Sequence, residues 1–437
     1  KIDNNELPLP EDDDKIKDGP SETIEEDSKL PPFSYQNKLL YRELAIAKKR
    51  NEISSVRCVG LTVETKPDYC KQYHVNLMLE LGTTRIELGI QALNENVYKR
   101  VNRGHNLNDV YEAFFISRNS GYKIGAHMMP GLPGSSINQD ISDVKTLFED
   151  SRLRPDMLKI YPTLVIPNTG LYELYKKNKY KSYSTEDLIN LLVEIKKIIP
   201  PWVRIMRIQR EVEPEDVVAG PKMGNIRQLV LNKLEKEKIK CKCIRCREIG
   251  LINENIKISD KDIELSRIDY DASGGKEVFL SFEIADKNLL LGFLRLRLMH
   301  SPLRPELLAD SIKIKRGDGD LGFSDAMEDE TSLITSAIVR ELHVYGQVAK
   351  IEKSYNNVNQ SFVSSANFAS SFFASASPNN ALYQHRGLGR ALLAEAEKIC
   401  KEEYNLKYLS VISAVGTRDY YRKFGYTNNG PYVTKRL

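Results

Sequence analysis

The sequence has no apolar run approaching the roughly 20 residues needed to cross a bilayer, so a membrane-spanning chain is not expected. Its first residues lack the basic-then-apolar order of a secretory leader. Cysteine is scarce, six in 437 residues, and three of the six crowd into 241–246. That scarcity excludes a disulfide framework and suits a reducing compartment; the expected location is the cytoplasm, with the nucleus as an alternative. Residues 1–32 lack aromatics and hold eleven Asp or Glu against four Lys or Arg. Such a stretch cannot bury enough apolar surface for a core, so residues 1–35 are expected to be an acidic, disordered segment.

What is present is a basic body. The whole chain carries a formal charge of +4, and the acidic stretch accounts for −7, leaving +11 on the other 405 residues. That excess suits a polyanionic partner, although a merely solvated basic surface fits the same number. At 437 residues with 41% apolar side chains, two or three domains are expected.

From about 36 to 210, apolar strand-like runs (57–64, 85–91, 122–130, 157–166 and 203–209) alternate with amphipathic stretches near 68–81, 107–119, 138–150 and 185–198. Ser184 to Asp187 opens the last in the manner of a capping box. Repeated β–α units with apolar strands predict a parallel sheet with helices outside. The strands end in Glu64, in Gln91 and in the Pro130–Gly134 turn, the rim that carries chemistry in α/β barrels. Five strands are fewer than a complete barrel has. Residues 211–275 read as a connector with a charged helix and the string "CKCIRCREIG". A second style of strands and helices fills 276–437, interrupted at about 303–331 and 351–380; the second interruption is Ser/Asn-rich and reads as a surface insertion.

Within that second part, "QHRGLGRALL" (384–393) runs a glycine-rich basic turn into a helix. Gln384, Gly387 and Gly389 leave the backbone open at a helix start, where unpaired N–H groups and the dipole favour an anion such as a pyrophosphate. Arg386 and Arg390 add positive charge. Leu388, Leu392, Ala396 and Ile399 recur at helical spacing and plant the helix in a core. A strand ending "ELHVYG" precedes the turn and "YYRKFGY" follows it. This arrangement resembles the Gcn5-related N-acetyltransferase superfamily. The resemblance implies an acetyl-CoA site formed by Glu341, Leu342, His343, Val344, Gln384, Gly387, Leu388, Gly389, Arg390 and Tyr421. Catalytic roles are expected for His343 and Tyr421, the latter as proton donor to the leaving thiolate. Tyr420 is the alternative donor, and simple packing of both tyrosines is another reading.

The two halves together sharpen the resemblance. "CVGLTVETKPDYC", "RIELGIQALNENVYKRVNRGH", "AHMMPGLPG", "LKIYPTLVIPNTGLYEL" and "VGTRDYYRKFGYTNNGPYVTKRL", in this order, resemble the family of the catalytic third subunit of the Elongator complex, from about residue 36 to the last residue. The implied fold is α/β: a partial radical S-adenosylmethionine barrel, a zinc-bearing linker and an α+β acetyltransferase domain. The implied activity is formation of 5-carboxymethyluridine at the tRNA wobble position from acetyl-CoA by radical chemistry. Implied partners are tRNA and, in a eukaryote, the other Elongator subunits; a homodimer is left open. On the barrel, Glu87 and Gln91 are expected to contact S-adenosylmethionine, with His127, Lys159 and Tyr161 facing the same space.

The chain departs from that family where the [4Fe-4S] cluster needs three close cysteines near the barrel's start: Cys58 and Cys70 stand apart, and no triad precedes them. As written, the chain is not expected to assemble the cluster by itself. Cys241, Cys243 and Cys246 suit a structural zinc ion, with His300 as the available fourth ligand. Arg204, Arg207 and Arg210 beside Trp202, with Arg85, Arg100, Arg103, Lys222 and Arg227, are candidate tRNA contacts. A protein lysine acetyltransferase and a non-catalytic tRNA-binding scaffold remain alternatives.

Overall fold

The computed structural model describes residues 35–251, 260–308, 333–345 and 387–437. The acidic segment up to residue 34, Gln384, Arg386, the insertion at 351–380 and most of that at 303–331 lie outside the described residues.

A helix, α1 (Tyr35–Ile53), leads into five strands alternating with helices: β1 (Thr62–Thr65), α2 (Gln72–Leu81), β2 (Arg85–Gln91), α3 (Glu95–Arg100), α4 (Leu107–Asn119), β3 (Lys123–Met128), α5 (Ile137–Glu149), β4 (Met157–Ile160), α6 (Gly170–Lys176), α7 (Thr185–Ile198) and β5 (Arg204–Arg207). All four pairings are parallel and the strands lie in sequence order. Sequential order with helical crossovers is the winding of a barrel wall, as opposed to a doubly wound sheet. The helix ends follow local chemistry. Asn106 and Asp109 exchange side-chain-to-backbone hydrogen bonds at 3.0 Å to open α4, and Ser184 accepts from the Asp187 amide at 3.1 Å to open α7. Gly82, at φ +90°, closes α2.

The connector holds α8 (Ile226–Lys236) and α9 (Ile244–Arg247). The second sheet has strands β6 (Glu264–Asp271), β7 (Gly275–Ile284), β8 (Leu289–Met299), β9 (Ser336–Val344), β10 (Tyr408–Val411), β11 (Thr427–Asn429) and β12 (Tyr432–Arg436). Their order is β11-β12-β10-β9-β8-β7-β6, antiparallel except for β9 beside β10. Its first strand, β6, falls in the stretch read from sequence as connector. Helix α10 (Leu388–Lys398) crosses this sheet, and a short helix α11 (Arg418–Arg422) follows β10. As the spacing predicted, Leu388, Leu392, Ala396 and Ile399 are all buried.

The two parts share one interior. The barrel's apolar core includes Met299, Ile338, Ile412 and Tyr432 of the second part. Gly121 (φ +89°) allows the closest approach: a Cβ there would meet Ile338 Cδ1 at 2.5 Å. Beside this contact lies a buried charge network. Arg340 of β9 clamps Asp156, which begins the barrel's fourth strand, through two bonds of 2.7 Å, and reaches Glu277 at 2.6 Å. Arg297 adds a 2.9 Å bond to Glu277, and Arg118 lies 3.6 and 3.3 Å from Asp156 and Glu277. Burial opposes the Asp156 charge, but the surrounding arginines win and hold its carboxyl far below the usual carboxylate range.

Candidate active site

A cavity of about 990 Å³ opens between the two parts. One wall is built by the second part. Gly387 sits at φ +88° as the N-cap of α10, a left-handed conformation that glycine adopts without strain. Gly389 is packed so closely that a Cβ would stand 2.7 Å from Tyr420 Oη. Neither glycine carries a side chain of its own at the first amides of α10, which open the helix at the cavity with the Tyr420 hydroxyl beside them, the kind of helix start that receives a phosphate. Arg390 lines the same mouth, while the Leu388 side chain points into the core and offers only backbone. Strand β9 contributes Glu341, Leu342, His343 and Val344. It pairs with β10 only at Ile338–Ser410 and Val339–Val411, so beyond Val339 the two strands part and leave a slot. Tyr421 is buried against Tyr420, edge to face at 5.2 Å, and burial raises its phenol well above its ordinary value, keeping the proton on oxygen. His343 packs on Tyr345 at 4.4 Å between ring centroids with part of its ring exposed to the cavity; partial desolvation lowers its pKa against the opposing charge of Glu341.

The other wall belongs to the barrel: Thr62, Thr84, Arg85 and Lys123, all at or beside the starts of strands. A β-bulge explains how β9 meets them. Arg295 pairs with Glu341 and Leu296 with Val339, so Arg340 is the extra residue, and both Arg340 and Glu341 turn toward the barrel. Sequence reasoning passed over Thr84 and Lys123, because nothing local marks a strand start as part of a site on another domain.

Further up the barrel's inner face, a second polar group gathers. His127 Nε2 lies 2.9 Å from Glu87, Lys159 donates to Glu64 at 2.7 Å and also pairs with Glu87, and Arg85 Nε stands 3.2 Å from Glu87. Burial works against the Glu87 charge, yet hydrogen bonds from His127 and Lys159 bring its pKa down to about 2. Tyr161 packs edge-on to His127 at 5.5 Å. Gln91 ends β2 at φ +68°, strained for a residue with a side chain, and its Oε1 is buried without a partner. An orphaned acceptor at the C-terminal end of the strand that carries a fixed carboxylate fits a polar ligand such as S-adenosylmethionine. Glu64, Glu87 and His127 could also group around a metal ion, but Lys159 already occupies the space between the carboxylates.

The cysteines do not supply an iron–sulfur site at this rim. Cys58 is exposed, Cys70 is buried 3.3 Å from Ser117 Oγ with its thiol pushed up to about 12, and Cys400 sits in the second core. Cys241, Cys243 and Cys246 converge, with sulfurs within 4.8 Å of one another. That spacing is compatible with a tetrahedral zinc–thiolate site. His300 is not its fourth ligand. The cysteines lie near Glu248, bridged to Leu290 at the start of β8, whereas His300 follows the strand's other end, about 30 Å away at ~3.3 Å per residue. Lys196 stands beside the triad, its Nζ 3.4 and 3.3 Å from Cys241 and Cys246.

Several expected tRNA contacts are instead internal. Arg204 is bound by Glu248 at 3.0 Å and by the Tyr345 hydroxyl at 2.8 Å. Trp202 stacks on Tyr270 at 4.2 Å, so its ring is not offered to a base. Arg85 pairs with Glu87, Arg103 donates to the Gly89 carbonyl, and Arg227 donates to the carbonyls of Ile205 and Met206. Arg100 and Lys222 are exposed, Arg207 pairs with Glu211 at 3.4 Å, and Arg210 lies over Tyr161.

Comparison with known proteins agrees with this architecture. Residues 32–146 match the radical SAM superfamily, 155–236 the radical SAM C-terminal domain, and 380–436 the acetyltransferase (GNAT) domain. The chain is 40% identical to human Elongator complex protein 3 over 391 residues, covering 90% of this chain and 63% of that protein. It is also 40% identical to a tRNA uridine(34) acetyltransferase of Methanocaldococcus jannaschii, covering 90% and 64%. It thus spans a little under two thirds of the length of these curated relatives. The solved structure of the archaeal Methanocaldococcus infernus Elp3 with an N-terminus deletion superposes with a TM-score of 0.75 at 38% identity, over 90% of this chain and 82% of that one. With a parallel barrel wall, a phosphate-type helix start on the second sheet and this likeness along nine tenths of its length, the chain belongs to the Elongator complex protein 3 family.

Proposed function

We propose that this chain uses acetyl-CoA to modify the wobble uridine of tRNA, forming 5-carboxymethyluridine together with S-adenosylmethionine chemistry. The observation that carries this reading is the single cavity lined at once by the α10 helix start and by the barrel's strand starts. An acetyltransferase acting alone has no use for a barrel wall at its acyl end. Two curated relatives of similar identity carry names that point the same way, Elongator complex protein 3 and tRNA uridine(34) acetyltransferase.

In this reading, the amides after Gly387 and the Arg390 guanidinium bind the CoA pyrophosphate, and the slot between β9 and β10 takes the pantetheine arm. His343, neutral at physiological pH, accepts a proton from the water that attacks the thioester. Tyr421 returns a proton to the departing thiolate. Glu87, Gln91, His127 and Lys159 would hold S-adenosylmethionine, which in this family supplies a carbon-centred radical when bound. The chain's cysteines do not form the cluster ligand set, so no electron-transfer step is assigned to them. Cys241, Cys243 and Cys246 would hold structural zinc, with the Lys196 ammonium balancing the third thiolate charge. The proposed setting is cytoplasmic, with other Elongator subunits as partners if the source is eukaryotic; among the described residues no helix is long and apolar enough to cross a membrane.

The test is release of CoA from labelled acetyl-CoA with and without tRNA. Stimulation by tRNA supports the proposal. Acetyl-lysine formed without tRNA would support a protein acetyltransferase, and no turnover in either condition would support a tRNA-binding scaffold.

A further inference from the structure

We infer that Lys123, on the barrel, donates to the carbonyl oxygen of the acetyl group bound in the cavity, so that the barrel reads the acyl end and the second part reads the CoA end. This assignment rests on the acetyl-CoA reading above and deepens it.

Geometry brings Lys123 there. Arg340, the bulged residue of β9, donates to the Tyr122 carbonyl at 2.8 Å and so pins the start of β3 against β9. The next residue on each strand, Lys123 and Glu341, then stands at the same cavity wall. The slot between β9 and β10 begins just after Val339 and leads an arm from the α10 helix start toward this wall.

Among the described cations at this cavity, Lys123 stands beside Glu341 on the barrel side and has donors to spare. Arg340 is saturated by Asp156, Glu277 and the Tyr122 carbonyl. Arg85 is paired with Glu87 at 3.2 Å. Glu341, the nearby carboxylate, is taken by Arg295 at 2.8 Å. Among the described residues, Lys123 has a 3.4 Å contact to the Thr84 hydroxyl, at the long limit of a hydrogen bond, and no ion pair. Lys123 is half-buried on the cavity wall, and its ammonium has three protons to donate, most of them unmet by the protein. Burial accordingly lowers the Lys123 pKa, Glu341 opposes that, and Arg85 adds to it. A carbonyl oxygen delivered along the slot would satisfy the group, and the ammonium would stabilise the negative charge that develops on that oxygen when water attacks.

The prediction is a preference that depends on the acyl group. Free CoA has no carbonyl oxygen at this position, so the comparison isolates the contact. Calorimetric titration of acetyl-CoA and of free CoA into wild type, Lys123→Met and Lys123→Arg is the experiment. Lys123→Met keeps most of the stem length and should bind acetyl-CoA about 10- to 100-fold more weakly, the range for a hydrogen bond from a charged donor, with CoA affinity changed by less than about twofold. Lys123→Arg should recover most of the loss. Equal weakening for both ligands, or none for either, overturns the assignment while leaving the acetyl-CoA reading standing. Wild-type protein that binds neither ligand overturns both.

Discussion

Replacing Asp156 with Asn removes one negative charge from a fully buried site and changes little in shape. Asp156 accepts two 2.7 Å bonds from Arg340, lies 3.6 Å from both Arg118 and Arg295, and accepts the Ile124 amide at 2.8 Å. Four buried arginines would then face only Glu277 and Glu341. Breaking a buried pair by removing one partner costs about 3–5 kcal/mol, because the stranded charge has no water to return to. At about 2–4 °C per kcal/mol for a domain of 150–250 residues, the unfolding midpoint should fall by roughly 6–20 °C. Because Asp156 belongs to the barrel and Arg340 to the second sheet, both parts should lose stability in one calorimetric transition. The pH dependence has a definite sign. The folded Asp156 carboxyl lies far below the ordinary value of about 3.9, so its contribution is complete above that value. It is lost as pH falls below it toward the folded value, and the gap between variant and wild type should narrow only in that acidic window. A midpoint within about 2 °C of wild type at neutral pH would refute the reasoning.

Local signals made much of the fold legible. The stretches read as 85–91 and 107–119 are β2 and α4 residue for residue, since one alternates Ile86, Leu88 and Ile90 with polar residues or glycine and the other opens with a capping box. The helix start at Gly387 was equally legible, because its chemistry lies within seven residues. What escaped depends on distant partners. Helix α1 is rich in charge and largely exposed, and is anchored through Glu52 to Arg418 and Arg422, more than 360 residues away. Strand β6 is mostly exposed and shows no apolar run. Arg204 and Trp202 read as a nucleic-acid surface in sequence because nothing local marks Glu248 and Tyr270 as their partners. Residue type alone suggests His300 for zinc, and strand length separates it from the sulfurs.

Further outcomes follow from the same geometry. Gly389→Val drives a branched side chain into Tyr420 and over the α10 amides, and should weaken acetyl-CoA binding by at least about tenfold in calorimetry while far-UV dichroism is unchanged. Tyr421→Phe keeps the buried ring but removes the proton, and should slow CoA release by about 10²–10⁴-fold with acetyl-CoA affinity nearly constant. Because partial desolvation in the cavity lowers the His343 pKa, the acid limb of the release rate should fall below the ordinary histidine value of about 6.5, and His343→Gln should flatten that limb. Elemental analysis should find one zinc per chain, lost in Cys243→Ser together with part of the thermal stability.

The shared cavity is tested most directly by a crystal structure with a non-hydrolysable acetyl-CoA analogue. The pyrophosphate should lie on the amides that follow Gly387, and the acyl oxygen should point to Lys123 across the boundary between the two parts. An analogue bound with its acyl end turned away from the barrel, or seated elsewhere, would contradict the account.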